Sequence, residues 1–126
     1  MNFHHIGIAC NNISEAKEFV ENIFIISHST ETIFDERQNV DLCLLTTNCG
    51  TNIELVWGNT VEKFIQKKQY LYHSCWEVEN INKSIDNFCK NGSILISEPK
   101  PAVLFNNRKV AFLFTKLGIV ELLQEK

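Results

Sequence analysis

The chain has 126 residues, of which 44% are hydrophobic and 21% charged, and a net charge of -3. That is enough apolar material for one compact domain or two small fused modules without stapling. The mild acidity gives no reason to expect a nucleic-acid partner, which needs clustered positive charge, and no apolar run approaches the roughly 20 residues of a membrane span.

The first legible element is a strand over His5-Ile6-Gly7-Ile8-Ala9-Cys10, followed by Asn11, Asn12 and Ile13. Nothing in this opening has the charged-then-apolar form of a secretory leader, so a cytoplasmic protein is expected. Asn12 is a good helix N-cap, and Glu15 stands three residues on, as in a capping box. Ala16, Phe19, Val20 and Ile23 then recur at helical spacing and predict a buried stripe. Strands are expected over residues 23–30, 38–47 and 51–57, the last two joined by the short link Asn48-Cys49-Gly50. Residues 59–70, rich in Lys and Gln, read as a linker or short helix.

The second half repeats the first. His73-Ser74-Cys75-Trp76-Glu77-Val78-Glu79-Asn80-Ile81 again runs histidine, strand, asparagine, isoleucine, and both the His and the Asn-Ile recur after 68 residues. Internal repetition of this kind sets the fold before any single element does. The helix stripe is now Ile81, Ile85, Phe88 and Cys89, with Gly92 placed for a left-handed C-terminal cap. Strands are expected over 94–97, 108–115 and 118–123, with Lys116-Leu117-Gly118 as a hairpin link. Pro99 and Pro101 predict a loop. The chain thus reads as one domain over 1–126, with a βαβββ module over 1–58 and another over 71–126.

A carboxylate repeats as well. Glu54 follows His5 by 49 residues and Glu121 follows His73 by 48, each within an apolar strand. A carboxylate there is costly to bury unless it is paired or bound to a cation. A single His or Glu of this kind is usually a core-edge or solvent-facing residue; recurrence at equivalent places is what marks these four. If the halves pack about a pseudo-twofold axis, His5, Glu54, His73 and Glu121 converge into a nitrogen-and-oxygen ligand set suited to Zn, Ni, Co, Mn or Fe. His4 and His28 lack such partners. The five cysteines, Cys10, Cys43, Cys49, Cys75 and Cys89, form no CxxC pair and read as reduced; Cys75 shares a strand face with His73.

With these features the chain resembles the vicinal oxygen chelate superfamily, which includes glyoxalase I, methylmalonyl-CoA epimerase, extradiol dioxygenases and bleomycin-resistance proteins. The likeness is carried by His4-His5-Ile6-Gly7-Ile8-Ala9, by Tyr72-His73-Ser74-Cys75-Trp76-Glu77-Val78, and by Arg108-Lys109-Val110-Ala111-Phe112-Leu113-Phe114 with Val120-Glu121-Leu122. It implies an α+β fold in which two tandem βαβββ modules form an incomplete barrel, a cup of mixed, mainly antiparallel sheet. The family's metal positions fall on His5, Glu54, His73 and Glu121. The epimerase and lactoylglutathione-lyase-like members are the most similar, which implies a metal-dependent proton-transfer enzyme for a small carbonyl or thioester substrate, with Glu121 or Glu54 as base. Lactoylglutathione lyase is the enzyme alternative, and a non-catalytic binder of the bleomycin-resistance type the alternative of another class. A homodimer is expected because this architecture exposes strand edges.

Two departures from the epimerase pattern stand out. The second ligand there is commonly Gln, where this chain has Glu54. The epimerase base, a Glu on the preceding strand, aligns with Leu42, and Asp41 beside it should point to the opposite face. No basic pair for glutathione carboxylates is evident either. Lys100, Arg108 and Lys109 read as solvated surface charges, with an anionic substrate tail as the alternative.

Overall fold

The structure, a computed structural model, describes all residues from Met1 to Lys126. The chain divides into two compact units, His5–Tyr72 and a second made of His73–Lys126 with Met1–His4. No helix is long and apolar enough to cross a membrane.

β1 (Asn2–Ala9), which enters the first unit at His5, leads into α1 (Ile13–Ile23), then β2 (Ile26–Ser29), β3 (Ile33–Asp35), β4 (Val40–Thr47) and β5 (Asn52–Trp57). A 3-10 turn at Asn59–Val61 and a short helix α2 (Glu62–Gln66) fill the stretch expected to be linker or helix. β1 pairs with β5 in parallel, β5 with β4 antiparallel, and β2 and β3 both lie antiparallel against β4. In the second unit the elements are β6 (Leu71–Val78), α3 (Ile81–Lys90), β7 (Ile94–Ala102), β8 (Arg108–Thr115) and β9 (Gly118–Gln124). Again the first strand pairs in parallel with the last, and the rest pair antiparallel. The α+β class and the mixed sheet read from the sequence are therefore the observed ones; the second unit has the expected βαβββ order, and the first adds one short strand, β3, between β2 and β4.

The helices begin where the caps place them. The Asn12 side chain accepts from the Glu15 amide at 3.0 Å, and Asn80 accepts from the Lys83 amide at 3.0 Å. Each such cap contributes about 1 kcal/mol. α3 ends at Lys90, two residues before Gly92, whose φ of 93° takes the left-handed conformation that costs a side chain. α3 buries Ile81 and Ile85 against Ala111, Leu113, Val120 and Leu122. α1 buries Ile13 and Val20 against Cys43, Leu45, Ile53 and Leu55, with Ala16 partly covered.

Two expectations are corrected. Phe19 and Ile23, assigned to the buried stripe of α1, are both 63% exposed. The stripe that meets the sheet starts at Ile13 and runs through Ala16 to Val20, and Phe19 and Ile23 turn off it by more than half a right angle. Cys89, placed in the stripe of α3, is exposed as well, because it turns off the line of Ile81, Ile85 and Phe88. The second correction concerns Pro99 and Pro101, which do not break the strand: β7 runs through both. β7 pairs only with β8, at the end of the strand order, so the missing N–H groups interrupt no second ladder. Its register shifts between Leu95 and Ser97 and again before Lys100 accommodate them.

Candidate functional site

Six polar or charged residues are buried: His5, Asp35, Thr47, Glu54, His73 and Glu121. Two of them serve turns. Asp35 accepts from the Arg37 and Gln38 amides and from the Gln38 side chain, and the Thr47 hydroxyl accepts from the Thr51 amide. The other four are the histidines and glutamates that the repeat singled out.

Register explains how each unit brings its pair together. In the first, Gly7 lies opposite Glu54, so His5, two residues before Gly7, projects from the same sheet face as Glu54. His5 Nε2 stands 3.5 Å from Glu54 Oε1. In the second, Cys75 lies opposite Glu121, and Cys75 is two residues after His73. His73 Nε2 stands 3.1 Å from Glu121 Oε1. On the far side, Leu44 faces Glu54 and Phe112 faces Glu121, a further match across the repeat. The His73 ring meets Phe112 edge-on at 5.4 Å, which holds the imidazole against an apolar wall.

The donor set fits a divalent cation. Imidazole nitrogen and carboxylate oxygen are the ligands of zinc and its first-row neighbours. Side chains at most 5% exposed place these atoms in surroundings where an ionised carboxylate needs a positive partner.

The base position of the epimerase pattern is apolar here. Leu42 lies opposite Val56 and Leu44 opposite Glu54, so Leu42, Leu44 and Thr46 share the Glu54 face. Asp41, opposite Trp57, faces the other way, and no bulge in this hairpin reverses it. Thr46 and Asn52 also share the Glu54 face, and their side-chain oxygens lie 2.7 Å apart. The sequence reading assigned neither a role. Asn52 was readable by counting two residues back from Glu54, but Thr46 becomes its neighbour only through the hairpin register.

Of the three cations near the second hairpin, Lys100 and Lys109 are exposed. Arg108 is committed within the protein: its Nε donates to the Gln124 carbonyl at 2.8 Å and its Nη2 donates to Glu77.

All five cysteines are free. Burial pushes the Cys10 thiol up to about 11 and raises Cys43 as well, whereas the Thr47 hydroxyl beside exposed Cys49 lowers its pKa. Because the thiolate is the nucleophile, iodoacetamide at pH 8 is expected to label Cys49 first and Cys10 and Cys43 last, followed by peptide mass spectrometry. Labelling of Cys10 as fast as Cys49 would show that its burial is wrong.

A family model described as the Glyoxalase/Bleomycin resistance protein/Dioxygenase superfamily matches residues 4–112. The chain belongs to this superfamily. The match takes in His5, Glu54 and His73 and stops short of Glu121. Among solved structures, a hypothetical protein from Bacillus halodurans is 26% identical, with a TM-score of 0.77 over 99% of this chain and 94% of its own. A methylmalonyl-CoA epimerase from Mycobacterium tuberculosis is 17% identical, with a TM-score of 0.83 over 99% of this chain and 88% of its own. A mutant glyoxalase I from Zea mays is 18% identical, with a TM-score of 0.67; the likeness covers 99% of this chain and 43% of the maize one. At these identities the last two establish a shared fold. No curated protein matches the chain.

Proposed function

We propose that His5, Glu54, His73 and Glu121 hold one divalent metal and that the protein is a metal-dependent proton-transfer enzyme acting on a small carbonyl or thioester substrate, in the manner of an epimerase. The observation that carries this reading is the double occurrence of a buried histidine beside a buried glutamate at the same register in two repeated units. Bound there, a divalent ion supplies Lewis acidity to a substrate oxygen and so raises the acidity of the adjacent C–H. The protein's own groups do the rest. Glu121 accepts that proton at its carboxylate and returns it, with Glu54 as the alternative base. Within each unit the strand neighbour of the glutamate is apolar, Leu44 opposite Glu54 and Phe112 opposite Glu121, which disfavours water beside each carboxylate.

Lactoylglutathione lyase is the second reading, and the β4 face favours it. With Leu42, Leu44 and Thr46 beside Glu54, β4 offers no carboxylate of its own, so the base has to be Glu54 or Glu121. The cytoplasm is the expected compartment for a chain whose five cysteines are all free. The edge strand β7, with Ile94 and Ile96 exposed, supports a homodimer.

The test is solvent deuterium uptake by the metal-loaded protein. Methylmalonyl-CoA is expected to gain deuterium at the carbon between its carbonyl groups, read by mass spectrometry. Turnover of the hemithioacetal of methylglyoxal and glutathione, with no labelling of the thioester, would assign the lyase instead. A ligand that binds tightly without exchange or turnover under any divalent metal would make the protein a binding module.

A further inference from the structure

The sheet face opposite Glu54 carries a cavity of about 340 Å³ in the first unit. Register builds its most distinctive wall. Phe34 on β3 lies opposite Asp41 on β4, and Asp41 lies opposite Trp57 on β5. Directly opposed residues in antiparallel strands project from one face, so three adjacent strands set a carboxylate between two aromatic side chains. Both rings also line the cavity, and Glu62 joins them from α2.

The row leaves two aromatic side chains open beside an uncompensated carboxylate. Phe34 is 53% and Trp57 45% exposed, although each is large and apolar. No lysine, arginine or histidine pairs with Asp41 or Glu62. Gly58 also lines the cavity and holds the turn after β5 close against β4. A Cβ there would meet the Asn39 carbonyl at 2.8 Å, and the φ of 151° suits glycine alone.

We propose that this cavity binds a small organic cation of the alkyl- or methylammonium class. Aromatic faces attract a cationic nitrogen through their quadrupoles, and methylated ammonium is the form best matched to such walls, because it is weakly hydrated and carries an apolar shell. Asp41 supplies the compensating charge at the centre of the row, and Glu62 adds a second at the rim. The row itself sets aromatic carbon on either side of one carboxylate, which suits an organic cation better than a hard metal ion, whose further oxygen ligands would have to come from Asn11, Asn39, Asn59 and Glu62 elsewhere in the lining. The site faces away from Glu54 and does not depend on the metal reading.

The experiment titrates the full chain, labelled with 15N, with tetramethylammonium chloride at constant ionic strength, and with tert-butanol as a neutral counterpart of similar shape. Saturable amide shifts confined to residues 34–41 and 57–62 are expected with the cation alone. Asp41→Asn, which keeps the side-chain shape, should weaken binding up to roughly fivefold, and Phe34→Leu, at a half-exposed ring, should weaken it without unfolding the sheet. An equal response to tert-butanol, a drift that never saturates, or an Asp41→Asn titration that superposes on wild type would each overturn the proposal.

Discussion

Glu121→Gln is expected to abolish deuterium exchange while leaving the protein folded. The side chain is 2% exposed and sits between Val120 and Leu122, both buried, so the isosteric amide fills the same space. What changes is the proton affinity of one atom. A carboxylate takes a proton from carbon and gives it back, whereas an amide oxygen is far too weak a base, and general-base catalysis contributes typically 10²–10⁴-fold. Loss of exchange on that order, with the far-ultraviolet dichroism unchanged, would support Glu121 as base. Glu54→Gln separates the two glutamates: if it alone removes exchange and Glu121→Gln does not, the roles are reversed. Weakened metal binding is a complication for either variant, so both are compared at saturating metal, where only the missing base limits the rate.

The parts of the fold legible in the sequence were those written twice. His5 with Asn12, and His73 with Asn80, fixed two strands and two helix starts, and the hairpins followed from Gly50 and Gly118, both at φ 88°. The difference between spacings of 49 and 48 residues has a structural origin. Thr46 pairs with Asn52 across the first hairpin, whereas the equivalent Phe114 pairs with Ile119, so the first turn is one residue longer. Because that residue lies in the turn and not in a strand, Glu54 and Glu121 keep the same face and the same register, where a slip within the strand would have reversed them.

What was not legible depended on neighbours distant in the chain. β3 has three residues, Ile33–Asp35, too few to show alternation, and only its pairing with β4 makes it a strand. The Phe34, Asp41 and Trp57 row was hidden for the same reason. Pro99 and Pro101 read as strand breakers because a sequence does not say which strand is an edge. Phe19 and Ile23 have the right period for a buried stripe, but the width of sheet beneath α1 decides how many of its residues are covered. Local chemistry was therefore readable at caps, turns and repeated polar residues, and burial depended on contacts that the helical period alone does not give.

His73→Ala carries the largest expected effect on metal binding and stability. The imidazole is the nearer of the two histidines to its glutamate, at 3.1 Å against 3.5 Å. Its removal takes one nitrogen from the proposed set and leaves Glu121 beside an apolar void. Four-ligand zinc sites bind with roughly 10–16 kcal/mol in total, so losing one ligand should weaken affinity on the order of a hundredfold. This becomes measurable as stability through linkage. At a free metal concentration of 100 times the wild-type Kd, the metal stabilises wild type by about 2.7 kcal/mol, and a hundredfold weaker variant would gain only about 0.4 kcal/mol. Thermal melts of both proteins, with the metal and with chelator, therefore distinguish two causes. A merely structural histidine would lower both His73→Ala melts equally and leave the metal-induced shift intact. A ligand would erase that shift, and elemental analysis of the purified variant would show the metal gone. His5→Ala should behave the same way, because the repeat gives the two histidines equivalent positions beside Glu54 and Glu121. Retention of full metal stoichiometry by both variants would remove the metal centre from the proposed function.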